Sequence, residues 1–150
     1  MKGIVVYESK YGNTKMVAEK IIEGIKTVKP MEIESKAQKE IKAERVAPYD
    51  FIAFGSPVRF GKATRGIRKF IDRVGKLDLK EKKGFLFDTY LGGDHMKGVR
   101  SMEKIINEKV RGIGLADEGL SVKVEGMRGP LVEGALEECF EYGRKMASKL

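Results

Sequence analysis

The chain of 150 residues has one cysteine, one histidine and no tryptophan. A lone Cys139 excludes an internal disulfide and a cysteine-based zinc cluster. His95 has no second histidine or carboxylate cluster near it in sequence, so no metal-ligand spacing is present and no metal site is expected. No apolar run approaches the roughly 20 residues that a membrane-spanning helix needs. The first residues read as a strand and not as an export leader, and a cytoplasmic address is the expectation. Internal repeats, low-complexity tracts and inter-domain linkers are also missing. Residues 1–150 are therefore expected to form a single domain around one core.

Charge, by contrast, is plentiful. Charged residues make up 35% of the chain and hydrophobic ones 41%, with a net charge of +8 and a sequence pI near 9.5. A Lys/Glu-rich surface with so little Cys and Trp is the composition expected of a thermophile protein. The basic charge comes with no RNA- or DNA-binding motif, and aromatics do not alternate with the basic residues, so nucleic acid is not the expected partner.

The most informative stretch is residues 5–21. The apolar strand Ile4-Val5-Val6-Tyr7 runs into Ser9-Lys10-Tyr11-Gly12-Asn13-Thr14, and a helix follows with Val17, Ala18, Ile21, Ile22 and Ile25 on one face. Such a loop gathers free backbone N–H groups and the positive end of a helix dipole around one point, which suits a phosphate. Ser9 and Thr14 add hydroxyl donors, and Gly12 lets the backbone come close. A Gly-Lys-Ser/Thr ending is absent, so this is not a Walker loop, and one glycine is too few for the dinucleotide turn. A bare helix cap and turn is the alternative reading of the same residues. The pattern filled by Val5, Val6, Tyr7, Ser9, Gly12, Thr14, Ala18 and Ile21 resembles the phosphate loop of the flavodoxin-like family.

Further along, strands and helices alternate. Strands are expected at Met31–Ile33, Phe51–Phe54, Gly84–Phe87 and across Leu120, Val122 and Val124, the last as an edge strand. The charged stretch to Pro48 has room for at most a short helix. Helical faces carry Ala63, Ile67, Phe70, Ile71 and Val74, then Val99, Met102, Ile106 and Val110, then Val132, Ala135, Leu136, Cys139, Gly143, Met146 and Leu150. Five strands with crossover helices make an α/β fold, a three-layer doubly wound parallel sheet of order 2-1-3-4-5. Ligands in such sheets bind beyond the carboxyl ends of the strands, at the switch point between strands 1 and 3.

The resemblance extends along the whole chain to Gly129-Pro130-Leu131, and the fifth strand has no room for the long insertion of long-chain members, which makes this the short form. It implies non-covalent FMN and electron transfer between proteins, with no catalytic acid or base. The second loop, Gly55-Ser56-Pro57-Val58-Arg59-Phe60-Gly61, resembles the loop on the inner side of the flavin ring. Ser56 is then a phosphate donor and Phe60 a ring neighbour, although Phe60 also reads as a core aromatic at a helix entry. The third loop, Thr89-Tyr90-Leu91-Gly92-Gly93-Asp94, supplies Tyr90 as the outer stacking partner, or else it is a glycine-rich turn with a surface tyrosine. Asp88 either caps that loop or holds Thr89.

Family electron carriers are acidic, so the charge of +8 points to a redox partner with an acidic docking face. The basic run from Lys62 to Lys83 is either that docking face or a solvated helix surface. Two other functions stay open: a flavin-free basic interaction module, and a small NAD(P)H-dependent flavin or quinone reductase. His95 is expected to be an exposed residue at a helix start, and Cys139 inert core.

Overall fold

A computed structural model describes all 150 residues. Its central strands are apolar on both faces, which is what a parallel sheet covered by helices on each side requires. Strand β1 (Lys2–Tyr7) sends Ile4 and Val6 to one side and Val5 and Tyr7 to the other. The same period of two divides β3 (Phe51–Arg59), with Ile52 and Phe54 facing Phe51 and Ala53 across the backbone. Helices α1 (Asn13–Val28) and α4 (Ala135–Ala147) cover the Val5 face, while α2 (Arg65–Val74) and α3 (Lys97–Lys109) cover the Ile4 face. The two cores have 19 and 18 buried residues, so neither layer is merely a lid on the other.

The remaining strands are β2 (Glu32–Ala37), β4 (Lys62–Ala63), β5 (Lys83–Tyr90), β6 (Gly114–Leu115) and β7 (Leu120–Lys123). All sheet pairings are parallel except that of β4, which turns back antiparallel on β3. Sheet order is β2-β1-β3-β5-β6, with β7 also on β5. The fifth position is therefore one broken strand: β6 pairs with Lys83 and Gly84, and β7 pairs with Phe87 through Tyr90. With β6 and β7 counted as one, this is the expected 2-1-3-4-5 order. The break falls at Asp117-Glu118-Gly119, where Gly119 has φ +104 and Asp117 is drawn 2.9 Å from Lys145 on α4. Burial raises the Asp117 carboxyl, but hydrogen bonds from Lys145 and the Glu118 amide win and hold it below the usual range.

Several boundaries differ from the expectation. The strand β2 runs to Ala37, alternating exposed charged residues with half-buried ones as an edge does. The charged stretch after it forms two short 3₁₀ turns, Gln38–Glu40 and Ala43–Val46, with Ala43 and Val46 as its anchors. Leu120, Val122 and Val124 are all buried, because α3 and α4 both close over β7. Leu136, expected inside, is exposed at the first turn of α4. No helix is long and apolar enough to cross a membrane.

Candidate functional site

Beyond the carboxyl ends of β1 and β3 lies a cleft of about 290 Å³. The turn from β1 into α1 forms one wall, built by short-range bonds. The Ser9 hydroxyl accepts hydrogen bonds from the amides of Gly12 (3.1 Å) and Lys15 (3.3 Å). Gly12 has φ +93, a conformation any Cβ would strain, and this lets the chain double back into the helix. The amides of Lys10, Tyr11, Asn13 and Thr14 donate to no acceptor within the protein. Helix α1 has no acidic residue in its first turn, so its positive end faces the cleft uncompensated.

The second wall is the end of β3. It runs on through Pro57, Val58 and Arg59 and turns back into β4, pairing Val58 with Ala63 and Arg59 with Lys62. Phe60 and Gly61 form the turn, with φ +53 and +74, the mirror-image geometry that suits two-residue hairpins. Phe60 is fully exposed, at 101% of its free area, which excludes the core reading. Ser56, expected as a phosphate donor, does not line the cleft. It is fully buried, and its hydroxyl donates to the Pro57 carbonyl (2.8 Å) and accepts from the Thr64 amide (2.9 Å). It continues the Ile52, Phe54 face, so the pleat turns it toward the start of α2 and away from the phosphate turn.

The third wall comes from β5 and the turn after it. Thr89 and Tyr90 end the strand, and the buried hydroxyls of Thr89 and Thr14 share a hydrogen bond of 2.9 Å that ties this wall to the first. Tyr90 is half-buried and meets His95 edge-on, with ring centroids 5.2 Å apart. His95 itself is exposed, two residues before α3. Asp88 is wholly buried and caps that helix, accepting from the Val99 amide (2.9 Å) and from the Ser121 hydroxyl. Burial pushes its carboxyl above the ordinary range despite these bonds.

Sequence reasoning missed a fourth wall. Val124 and Met127, after β7, line the cleft together with Ser9, Lys10, Tyr11, Asn13, Thr14, Pro57, Val58, Arg59, Phe60, Thr89, Tyr90, Leu91 and Asp94. Two cations lie near the Tyr11 ring, Arg128 at 5.6 Å and Lys10 at 5.4 Å from its centroid. The signal was Gly126 to Pro130 directly after a fifth strand, the position the strand-end rule singles out. Among the expected residues, Gly12, Gly61, Gly92 and Gly93 do not line the cleft; the first three have positive φ and shape the turns beside it.

Of eight exposed large hydrophobic residues in the chain, Tyr11, Phe60, Leu91 and Met127 all ring this cleft. An apolar rim of that kind marks a binding site. Its lining holds Lys10 and Arg59 against one carboxylate, Asp94, which Lys97 already pairs at 3.1 Å. No trio of His, Cys, Asp or Glu side chains is placed to hold a metal. The cleft thus offers an anion site of amides and hydroxyls at one end and aromatic surface at the other.

Comparison with known proteins gives the family and the fold. A protein called Flavodoxin from Aquifex aeolicus (strain VF5) is 34% identical over 73 residues, which are 49% of this chain and 40% of that protein's length. A flavodoxin from the domain Archaea has a TM-score of 0.83 at 26% identity, covering 99% of this chain and 98% of the other. Oxidised Flavodoxin 2 from Bacillus cereus has a TM-score of 0.85 at 25% identity over the full length of both. The flavodiiron protein from Giardia intestinalis shares the fold, with a TM-score of 0.81 at 21% identity over 99% of this chain and 36% of that one. The Flavodoxin domain family matches residues 4–114, most of the chain, and the chain belongs to that family.

Proposed function

We propose that this chain, as a single domain, binds FMN non-covalently in the cleft and carries electrons between protein partners in the cytoplasm. One observation carries the reading: four backbone amides without a partner, at the uncompensated positive end of α1, on the switch point of the sheet. Those amides and the hydroxyls of Ser9 and Thr14 fit a phosphate monoester. Thr89 can donate its own proton to Thr14, which frees the Thr14 proton for the ligand. Phe60 and Tyr90 stand on different walls with apolar faces available to a planar ring. When bound, FMN supplies the one- and two-electron chemistry.

The protein's own residues bind it, flank it and set its electrostatic surroundings. Arg59 is the cation of the second wall and favours the added negative charge of the reduced cofactor, so the potential is less negative than a purely acidic site would set. The net charge of +8 favours a partner with an acidic docking face. Reconstitution tests the reading. The purified protein mixed with FMN should quench flavin fluorescence stoichiometrically and hold a yellow colour through gel filtration. A protein that FMN cannot reconstitute would turn the reading to the flavin-free interaction module.

A further inference from the structure

We infer that the groove between α2 and α3 is the docking face for an acidic protein, an inference that rests on the proposed electron transfer through the neighbouring cleft. The groove holds about 470 Å³ and is lined by six cations, Lys62, Arg65, Arg68, Lys69, Lys104 and Lys109, against the carboxylates Asp72 and Glu108. Its balance of +4 is half of the net charge of the whole chain. Only one ion pair relieves it, Lys109 to Asp72 at 2.7 Å. Arg65, Lys69 and Lys104 are exposed and unpaired.

The groove joins the cleft through one pair of residues. Arg59 and Lys62 face each other across the β3–β4 ladder, and Arg59 lines the cleft while Lys62 lines the groove. At the tip between them stands the fully exposed Phe60, held at φ +53 where nothing packs on it. An exposed aromatic beside unpaired cations is the composition of an interface, with an anchor and a charged surround. A partner seated on the groove therefore lies against the cleft mouth, where electrons must pass.

The site does not suit a small anion. Two of its polar groups are already committed within the protein: Ser101 accepts from the Ala63 amide (2.7 Å), and Arg68 Nε donates to the Ala63 carbonyl (3.0 Å). The free cations are divided between two helices, Arg65 and Lys69 on α2 and Lys104 on α3. A broad, loosely spaced set of cations matches carboxylates spread over a protein surface. Single-stranded nucleic acid is disfavoured because no aromatic residue lines the groove and Phe60 alone stands beside it, which leaves no stacking series.

The test titrates the protein, with and without FMN, with a small acidic ferredoxin at low ionic strength, reading affinity by calorimetry. FMN affinity is measured in parallel. The triple variant Arg65→Glu, Lys69→Glu, Lys104→Glu should weaken ferredoxin binding about tenfold or more. The same charge change at Lys26, Lys36 and Lys39, exposed on other faces, should weaken it far less. Binding should vanish near 1 M NaCl, where the Debye length is about 3 Å. Loss of FMN binding with the ferredoxin result intact would sink the cleft reading and leave the docking face standing. Equal weakening by both triples, no ferredoxin binding, or tighter groove-dependent binding of a DNA duplex or of inorganic pyrophosphate would overturn the docking face.

Discussion

Replacing Thr14 with alanine isolates the phosphate end of the cleft. Thr14 is buried, and its hydroxyl has one hydrogen-bond partner in the protein, the hydroxyl of Thr89 at 2.9 Å. With Thr89 donating, the Thr14 proton serves the ligand. A hydrogen bond to a charged phosphate contributes about 1.5–3 kcal/mol, so Thr14→Ala should raise the FMN Kd roughly 10- to 150-fold. Riboflavin lacks the phosphate, and its Kd should move little. The variant also leaves the buried Thr89 hydroxyl unpaired, costing about 1 kcal/mol of stability whichever flavin is bound. Thr14→Ser restores the hydroxyl and should recover the preference for FMN. Flavin fluorescence quenching gives both constants for each variant, and urea unfolding separates the stability cost. If wild type and Thr14→Ala discriminate FMN from riboflavin equally, the Thr14 hydroxyl does not hold the phosphate.

Phe60→Gly removes a side chain that packs on nothing and a left-handed φ that costs an L-residue about 1–2 kcal/mol. It should leave stability unchanged or higher while weakening flavin binding, and a stability loss above about 1 kcal/mol would show that Phe60 packs on the folded chain. Tyr142 carries a buried hydroxyl with no hydrogen-bond partner, so Tyr142→Phe should add about 1 kcal/mol to the unfolding free energy; a loss of stability would refute the unpaired hydroxyl. Burial raises the Asp88 carboxyl, so between its ordinary value of 3.8 and its folded value the unfolded chain releases the proton first. The stabilising effect of the protonated form is complete below that window and is lost as pH rises through it, about 1.4 kcal/mol for each unit that separates the two values. Urea unfolding at stepped pH should show wild type losing ground to Asp88→Asn across the window, and a constant difference would contradict the raised carboxyl.

How much was legible depended on range along the chain. The turn from Tyr7 to Thr14 was readable because strand, loop and helix are adjacent in sequence and their bonds, Ser9 to Gly12 and Lys15, span only a few residues. Sheet order followed from the alternation of apolar runs and crossover helices, since handedness and short connections leave few topologies. Three features lay beyond local pattern. The direction of Ser56 was decided by its place in the pleat, two residues beyond Phe54, and by the Thr64 amide waiting across the hairpin. The wall of Val124, Met127 and Arg128 reaches the first loop only because β7 lies at the sheet edge and returns the chain over Tyr11. Asp88 became a helix cap because β5 ends beside α3, a contact that no spacing within the loop encodes. Composition, periodicity and the nucleating turn were thus set by the sequence itself, through interactions a few residues long. Which side chains face the cleft and which are spent in the core was decided by the packing of layers, where distant segments compete for the same donors.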